Sequence, residues 1–243
     1  MQVITIFTGL RKNSKLKTAK PNKRLSVYSK ATPEIILYAY HQGVFPMAES
    51  ADDVEFNFYR PEMRGILPIK NLHIPKKLLK TVQNKTYHVT INQAFTEIID
   101  GCALSSKDRE NTWINKEIRD VFIELHELGH AHSVECWEEI DGKKILAGGL
   151  YGLAIGQVFC GESMVSFSKN ASKVALVHLC ARLYSGGFQL LDTQYINDHL
   201  KQFGAYETPQ EKYEEQIKDL MKKPSDFILN EINEDQILQE YLK

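Results

Sequence analysis

The spacing of apolar residues along the chain predicts helices and strands in mixed order. Thr32 followed by Pro33 matches an N-cap with proline at the first helical position, and helical spacing continues to a stop at Gly43. Residues 44–75 are rich in proline, glycine and aromatic residues, which favours loops and short strands. Residues 87–91 then alternate apolar and polar, as a strand does. The pattern therefore indicates a small, irregular first region.

Asparagine precedes three further stretches of helical spacing. Asn92, Asn115 and Asn170 each stand where an N-cap residue is expected. The second helix is predicted to end near Gly129 and the third near Gly186, because glycine readily adopts the backbone conformation that terminates a helix. The sequence therefore predicts a helix after each of these asparagines.

A period of two residues marks the middle of the chain as a meander of antiparallel strands. Residues 131–137 alternate, residues 141–142 supply an Asp-Gly hairpin turn, and residues 144–156 and 157–160 continue as strands. Residues 188–193 form a later apolar run that is typical of a buried strand. Strands and helices in this order predict an α+β or mixed α/β fold.

Composition places the chain among globular proteins. It has 243 residues, of which 43% are hydrophobic and 25% charged, and these values exclude collagen-like and wholly disordered chains. The longest apolar run, residues 145–156, is well short of the roughly 20 residues that cross a bilayer. We therefore expect a protein that does not enter membranes.

The two ends of the chain carry opposite charge. Residues 1–30 contain eight Lys or Arg and no acidic residue, whereas residues 207–243 contain ten Asp or Glu against five Lys. A basic arm of this kind is either a solvated tail or a segment that binds a polyanion. The low apolar density of the acidic end, which has helical composition, predicts a peripheral helical extension.

The cysteines give no sign of a disulfide framework or a zinc ribbon. They are widely spaced and form no CxxC pair, so buried thiols in a reducing compartment, the cytoplasm, are expected. The residues are Cys102, Cys136, Cys160 and Cys180.

One motif suggests a metalloprotease. His126 and His130 flank Glu127 in an HExxH pattern, in which two histidines one helical turn apart hold zinc beside a general base. Gly129 stands inside the motif where the helix is predicted to stop, which favours histidines at a helix C-terminus instead. A zinc enzyme stays an alternative at this point.

The glycine-containing motifs do not match known catalytic loops. Gly161-Glu162-Ser163 begins like a nucleophile elbow, but Val165 stands where the second glycine is required. The glycines of the meander lack the spacing of phosphate-binding loops, so we expect them to permit bulges or close strand contacts. They are Gly148, Gly149, Gly152 and Gly156.

Polar residues stand at the ends of two predicted buried strands. Glu162 follows one apolar run, and Asp192-Thr193-Gln194 follows another. Residues two apart in a strand project from the same face, so Asp192 and Gln194 are predicted to act together on one bound group. The alternative is that they cap the next helix near Asn197.

These and other blocks resemble the leucyl/phenylalanyl-tRNA protein transferase family over about residues 32–207. The blocks occur in the family's order and are much more specific than one short motif. They are QGVFPM at 42–47, RPEMRG at 60–65, HIP at 73–75, TWI at 112–114, GHAHSVE at 129–135, GESM at 161–164, NASK at 170–173, DTQ at 192–194 and FGA at 203–205.

The resemblance implies an aminoacyltransferase with a small N-terminal domain and an acyl-CoA N-acyltransferase-like domain. The implied reaction moves Leu or Phe from Leu-tRNA or Phe-tRNA to the α-amine of a protein that begins with Arg or Lys, marking that protein for degradation by the N-end rule. It implies no metal and no cofactor, and we expect a monomer. A tRNA-binding module without catalysis is a further alternative, against which the polar residues of the strand ends argue.

The resemblance also implies roles for individual residues. Asp192, Gln194 and Glu162 correspond to the catalytic positions, with Asp192 polarising Gln194 and Glu162 near the amino group of the transferred residue. Trp113 and Tyr59 correspond to positions around the terminal adenosine, and Ser163 to a substrate-binding position. The side-chain pocket corresponds to Leu150, Met164, Leu176, Leu179 and Leu191.

Four segments are predicted on this basis. Residues 1–31 form a basic arm, expected to be flexible, and residues 32–86 form the small N-terminal domain. Residues 87–207 form the catalytic domain, and residues 208–243 form the helical extension.

Overall fold

The computed structural model describes residues 30–104, 112–230 and 232–243, together with the backbone of residues 2–4 and 23–28. The strands are β1 (Gln2–Ile4), β2 (Lys23–Tyr28), β3 (Phe45–Met47), β4 (Phe56–Arg60), β5 (Met63–Leu67), β6 (His88–Ile91), β7 (Ala131–Ile140), β8 (Lys143–Ile155), β9 (Val158–Ser166), β10 (Leu190–Gln194) and β11 (Tyr206–Pro209). The helices are α1 (Pro33–His41), α2 (Lys76–Gln83), α3 (Phe95–Ala103), α4 (Lys116–Glu127), α5 (Ala171–Ser185), α6 (Asp198–Lys201), α7 (Gln210–Leu220) and α8 (Glu234–Tyr241).

A large mixed sheet organises the molecule. Its strands lie in the order β11-β5-β10-β9-β8-β7-β6, and β1 also pairs with β9. β9 and β10 are parallel, with α5 as the crossover between them, and the other neighbouring strands are antiparallel. The α+β prediction is therefore confirmed, while the acyltransferase-like arrangement stays a prediction. The carboxyl end of β10 lies beside the middle of β9, because Asp192 is opposite Cys160 and the last residues of β9 pair with β1 instead. Ligand sites gather at the carboxyl ends of parallel strands in such sheets.

A smaller sheet and α1 are built from the N-terminal part of the chain. Its strands lie in the order β2-β4-β3, and α1 packs on β3 and on α4 through a buried stripe that includes Ile36 and Tyr40. Thr32 caps α1 as predicted, accepting from the backbone of Ile35. β5, which we assigned with this region, lies in the large sheet between β10 and β11.

The glycines of the meander permit close contact between strands, as expected. Added β-carbons on Gly149 and Gly152 would collide with the backbone carbonyl oxygens of Val134 and Cys160. Gly148 has a φ of +149° beside the carbonyl of Val165. Every other side chain would push these strands apart, so the meander depends on glycine here.

One of the predicted N-caps is wrong. Asn92 has a φ of +58° and lies in a turn before Ala94, which is the N-cap residue of α3. Asn170 stands at the N-cap of α5 as predicted, but its φ is +67° and its side chain forms no capping hydrogen bond. Asn92 instead accepts from the backbone of Ser133 at 3.0 Å, and the backbone of Ser172 in α5 donates to the Ser166 hydroxyl at 2.9 Å. Asn115 caps α4 as predicted.

The acidic end of the chain is not peripheral, contrary to the prediction. Tyr213, Ile217 and Ile237 are almost completely buried, and β11 pairs with β5. Arg182 of α5, itself 3% exposed, donates to the carbonyl oxygens of Phe227 and Ile228 and to the carboxylate of Glu234. A few well-spaced apolar residues and one buried ion pair are therefore enough to join this end to the core.

Two segments of the basic arm form strands, residues 30–31 lead into α1, and the other residues of the arm lie outside the described part of the chain. β1 lies on the large sheet and β2 on the small one. All of the cysteines are buried, as predicted. Among the described helices, no apolar stretch reaches the length that crosses a membrane.

Candidate active site

Glu162 is an extra residue in β9. Tyr151 of β8 lies opposite Ser163 and Gly152 lies opposite Gly161, so Glu162 forms a bulge between the two pairs. Its side chain is completely buried, and Oε1 accepts from the Tyr40 hydroxyl at 2.7 Å and from Gln194 Nε2 at 3.2 Å. Oε2 has no hydrogen-bond partner among the described residues. The bulge therefore presents one occupied and one open carboxylate oxygen.

Burial changes the ionisation of this carboxyl group. Loss of hydration raises the pKa of Glu162 to about 8, although the hydrogen bond from Tyr40 and the charge of Arg64 lower it. The group thus gains or loses its proton in the range where an α-amine, with a pKa of about 8, also titrates. It is suited to binding or receiving a proton from an amine.

The carboxylate of Asp192 is fully hydrogen-bonded. Oδ1 accepts from Arg64 Nε at 2.8 Å and from the backbone of Gln194 at 2.8 Å. Oδ2 accepts from Arg64 Nη2 at 2.5 Å and from the Tyr213 hydroxyl at 2.8 Å. These bonds fill the roughly four acceptor positions of a carboxylate. Asp192 therefore has no acceptor position left for a ligand.

Arg64 is a completely buried cation held by aromatic rings. Its guanidinium carbon lies 4.8 Å from the ring centroid of Phe45 and 4.4 Å from that of Tyr213. Nη1 donates to the Gly43 carbonyl at 3.0 Å. Burial opposes the charge, but Asp192 outweighs it and raises the pKa of Arg64 above its usual value. Arg64 therefore keeps its positive charge inside the protein.

Gln194 has a strained backbone. Its φ is +54°, and the register of β10 against β5 shifts between Asp192 and Gln194. The bulge breaks the two-residue alternation from which a shared face of these two side chains was expected, and their action on one bound group stays a prediction. Asp192 binds Arg64 and Tyr213, whereas Gln194 reaches Glu162 and leaves its Oε1 without a partner among the described residues.

Of the two predicted adenosine-binding residues, Tyr59 lies in β4, and Trp113 is joined by a backbone hydrogen bond to the residue that follows β3. Tyr59 stacks on Phe45 with ring centroids 6.5 Å apart, and Phe45 meets the edge of Tyr195 at 5.7 Å. Tyr59 is thus connected through one ring to the residue that follows Gln194. Trp113 is 6% exposed, and its carbonyl accepts from Ala48 at 3.1 Å.

The predicted apolar pocket residues are all buried. Leu150 and Met164 are direct partners across β8 and β9, and α5, which carries Leu176 and Leu179, packs on both strands. Leu191 lies in β10 beside β9. Ser163 is also buried, and its Oγ has no partner among the described residues. These residues form continuous core next to the Glu162 bulge.

Comparison with known proteins assigns the chain to a family. The model of the leucyl/phenylalanyl-tRNA protein transferase family matches residues 66–218, and the model of that family's N-terminal domain matches residues 30–62. The chain belongs to this family. β5 follows the N-terminal match, and its last two residues begin the larger match, which is compatible with its position in the large sheet. The predicted resemblance is confirmed, and with it the prediction of an enzyme of the transferase class.

Curated members of the family resemble the chain over most of its length. A leucyl/phenylalanyl-tRNA–protein transferase of Rhodopseudomonas palustris strain HaA2 is 48% identical over 199 residues, which are 82% of this chain and 87% of the relative. Proteins of the same name from Nitrobacter winogradskyi and Afipia carboxidovorans are each 48% identical, covering 84% and 85% of this chain and 89% of each relative.

The HExxH motif does not have the continuous helix on which a zinc site of this kind is built. α4 ends at Glu127, and Gly129 has a φ of +80°, so His130 lies beyond the helix and the two histidines are not one turn apart. His126 stacks on Phe95, with centroids 4.2 Å apart, and its Nδ1 lies 2.9 Å from the Ala131 carbonyl. Among the described residues no cluster of three metal-ligating side chains occurs.

Three residues of the candidate site were not predicted, namely Tyr40, Arg64 and Tyr213. For Arg64 and Tyr213, the sequence contains a feature that points to a buried polar contact. Arg64 is a charged residue inside an otherwise apolar strand, and Tyr213 is the aromatic residue of a highly charged helix. Both are the kind of exception that a buried polar partner explains.

Proposed function

We propose that this transferase moves Leu or Phe from aminoacyl-tRNA to the α-amine of proteins that begin with Arg or Lys. Family membership and the printed names of the relatives support aminoacyl transfer from tRNA to protein. The observation that carries the proposal in the structure is the buried pair of unpartnered acceptors, Glu162 Oε2 and Gln194 Oε1. Two adjacent acceptors in a dry site are suited to holding two amines.

The reaction needs no covalent nucleophile, because an aminoacyl ester is already activated. The amine nitrogen forms a bond to the ester carbonyl carbon, and the bond from that carbon to the ribose oxygen breaks. One amine proton is transferred to the leaving oxygen, with the neighbouring ribose hydroxyl as the relay. The enzyme must position the amine, accept hydrogen bonds from it and exclude water.

Glu162 and Gln194 supply these functions in our proposal. Glu162 Oε2 accepts from the amino group of the transferred Leu or Phe, and Gln194 Oε1 accepts from the incoming amine. Gln194 is an amide and therefore a weak base, so its contribution is orientation. Glu162 acts as the ionised carboxylate, because a charged acceptor forms the stronger hydrogen bond to an amino group.

The surrounding residues are proposed to bind the rest of the substrate. The transferred side chain occupies the region of Leu150, Met164, Leu176, Leu179 and Leu191, with Ser163 beside it, after local opening of this core. Such a pocket distinguishes Leu from Phe by only ~1–3 kcal/mol, which fits the acceptance of both. Trp113 and Tyr59 contact the terminal adenosine, and the basic arm contacts tRNA phosphates.

The wider setting follows from this chemistry. We propose that the enzyme is a cytoplasmic monomer that uses no cofactor. The added Leu or Phe marks the acceptor protein for degradation through the N-end rule.

A transfer assay tests the proposal. Purified protein is incubated with radiolabelled Leu-tRNA or Phe-tRNA and with peptides that begin with Arg, Lys, Asp or Ala. Label is expected in the Arg and Lys peptides. Label only in the Asp peptide would overturn the acceptor rule, and salt-sensitive tRNA binding without any labelled peptide would leave a binding module instead.

Matched variants show whether the site carries the reaction. Glu162→Gln is expected to lower transfer at least about tenfold, because removal of one positioned charged group typically costs this much or more. Glu124→Gln, an exposed change on α4, is the control and should transfer label at the wild-type rate. Equal activity of both variants would exclude Glu162 from the reaction.

A further inference from the structure

The Asp192 carboxylate is held by residues from two distant parts of the chain. Arg64 approaches it from β5 as a two-pronged donor, and Tyr213 approaches from α7. The side chains of all three residues are completely buried. With the backbone of Gln194 as the fourth donor, both oxygens are saturated. Asp192 therefore acts on its neighbours and not on a substrate.

Gln194 is the neighbour that depends on Asp192. A non-glycine residue with a positive φ is unfavourable and persists only where its surroundings hold it in place. The hydrogen bond from its backbone to Asp192 Oδ1 provides this restraint. Gly65 lies opposite, and a β-carbon there would come within 2.9 Å of Thr193 Oγ1 and 2.8 Å of the Tyr195 carbonyl carbon. The Gln194 bulge is thus held by the hydrogen bond to Asp192 and by the close approach of Gly65.

We infer that Arg64 and Tyr213 are positioning residues of the transfer reaction, which fix Asp192 so that it holds the Gln194 bulge in its active form. The inference rests on the proposed function. It assigns Asp192 a different role from polarising the Gln194 amide, since the carboxylate contacts the backbone of Gln194 and the amide contacts Glu162. It also gives the C-terminal extension, through Tyr213, an indirect part in catalysis.

The competing explanation is that the ion pair only stabilises the fold. A buried pair often contributes little net stability, and removing one partner is costly because the other charge remains. A purely structural pair predicts lower thermal stability with an unchanged turnover number for the folded fraction. A positioning role predicts a lower turnover number with unchanged substrate binding.

Tyr213→Phe separates these explanations with little risk to folding, because the ring and its contact with Arg64 remain. We expect kcat for label transfer to fall roughly tenfold, as for one lost hydrogen bond to a charged group, with KM for Leu-tRNA and peptide within about twofold of wild type. Tyr241→Phe is the matched control, since it removes a hydroxyl that donates to the Ile69 carbonyl elsewhere in the extension. It should leave kcat unchanged.

Arg64→Lys provides a second, independent variant. Lysine keeps the charge but cannot form the two-pronged contact, so kcat is expected to fall further than in Tyr213→Phe. Thermal unfolding of each variant is recorded alongside, and activity is expressed per folded protein. Wild-type kcat in Tyr213→Phe, or a raised KM with unchanged kcat, would overturn the inference.

A double-mutant cycle tests whether Tyr213 acts through Asp192. In an Asp192→Asn background, adding Tyr213→Phe is expected to lower kcat by less than about twofold, because the carboxylate that the hydroxyl positions is gone. A second loss of about tenfold would show an independent role and overturn the inference. If wild-type protein transfers no label at all, the proposed function fails instead, and this outcome is distinct from the other two.

Discussion

The Tyr40 hydroxyl lies 2.7 Å from Oε1 of Glu162, so a helix of the N-terminal domain donates directly to the buried carboxylate of the larger domain. A donor to a carboxylate stabilises its charged form and lowers its pKa. Tyr40 therefore opposes the effect of burial on Glu162. Residues of both domains therefore determine the pKa of Glu162.

Removal of this donor is predicted to shift the pH dependence of transfer. The Tyr40 bond lowers the pKa of Glu162, so Tyr40→Phe should raise that pKa above its present value of about 8. Because transfer is proposed to need the ionised carboxylate, the rise of kcat/KM with pH should occur at higher pH in the variant. Single-turnover rates of label transfer between pH 6 and 9 measure this shift.

Tyr38→Phe is the control, because Tyr38 lies on the same helix and is 68% exposed. Its pH profile should coincide with that of wild type. A Tyr40→Phe profile that falls in height without moving along the pH axis would contradict the proposed ionisation.

Stability should also depend on pH through Glu162. Its folded pKa of about 8 exceeds the ordinary value of 4.5, so the folded state binds the proton more tightly than the unfolded state. Stability from this group is therefore present at low pH and is lost as pH rises from about 4.5 to about 8. Glu162→Gln, which cannot ionise, should gain stability relative to wild type across that interval, by up to about 5 kcal/mol.

Denaturant unfolding of wild type and Glu162→Gln at pH 5 and pH 9 measures this difference. Glu124→Gln is again the exposed control. If the free energies of unfolding of wild type and Glu162→Gln differ by the same amount at pH 5 and pH 9, folding does not raise the pKa of Glu162.

The ion pair of the C-terminal extension predicts a contrast between two neighbouring acids. Glu234→Ala leaves the buried cation of Arg182 without its carboxylate and should cost about 3 kcal/mol. Asp235→Ala breaks a pair with Lys85 whose side chains are more than half exposed and should cost less than about 1 kcal/mol. Both acids stand in the first turn of α8, so their interaction with the helix dipole is similar.

Urea unfolding at pH 7 compares the two variants. Equal losses of stability would mean that Arg182 finds another partner or water when Glu234 is absent.

A methyl group at Gly65 should disturb the Gln194 bulge. The added carbon would lie within 3.0 Å of atoms of Thr193, Tyr195 and Ile196, two of which belong to the backbone or a short side chain. Gly65→Ala is therefore expected to lower transfer more than about tenfold and to cost about 1–3 kcal/mol of stability. Gly101→Ala is the control, since its methyl meets the ring of Phe167, a partly exposed side chain that can turn away.

Local sequence patterns predicted most elements because apolar spacing and turn residues act over short distances. The cap at Thr32, the hairpin at residues 141–142 and the end of α4 are examples. Asn92 was misassigned because asparagine favours both N-caps and left-handed turns, and spacing alone does not distinguish them.

The site was predicted where family motifs named its residues, and missed where partners come from elsewhere in the chain. Asp192, Gln194 and Glu162 do lie together, but the Gln194 bulge depends on the register of β5, which no short window of sequence reveals. Arg64 and Tyr213 are 149 positions apart, and only the folded sheet brings them to the same carboxylate. Contacts between residues so far apart in the sequence cannot be predicted from the local spacing of residue types.

The position of β5 also constrains when the enzyme can become active during its own synthesis. β5 pairs on one side with β10, where Leu67 meets Leu191, and on the other with β11, where Met63 meets Pro209. A nascent chain on the ribosome therefore carries β5 with both edges exposed while more than a hundred further residues are added. Arg64 has no carboxylate until residue 192 has emerged, and Asp192 has no tyrosine until residue 213 has emerged. A prematurely released chain is then an inert protein with an unpaired strand, a target for aggregation or degradation.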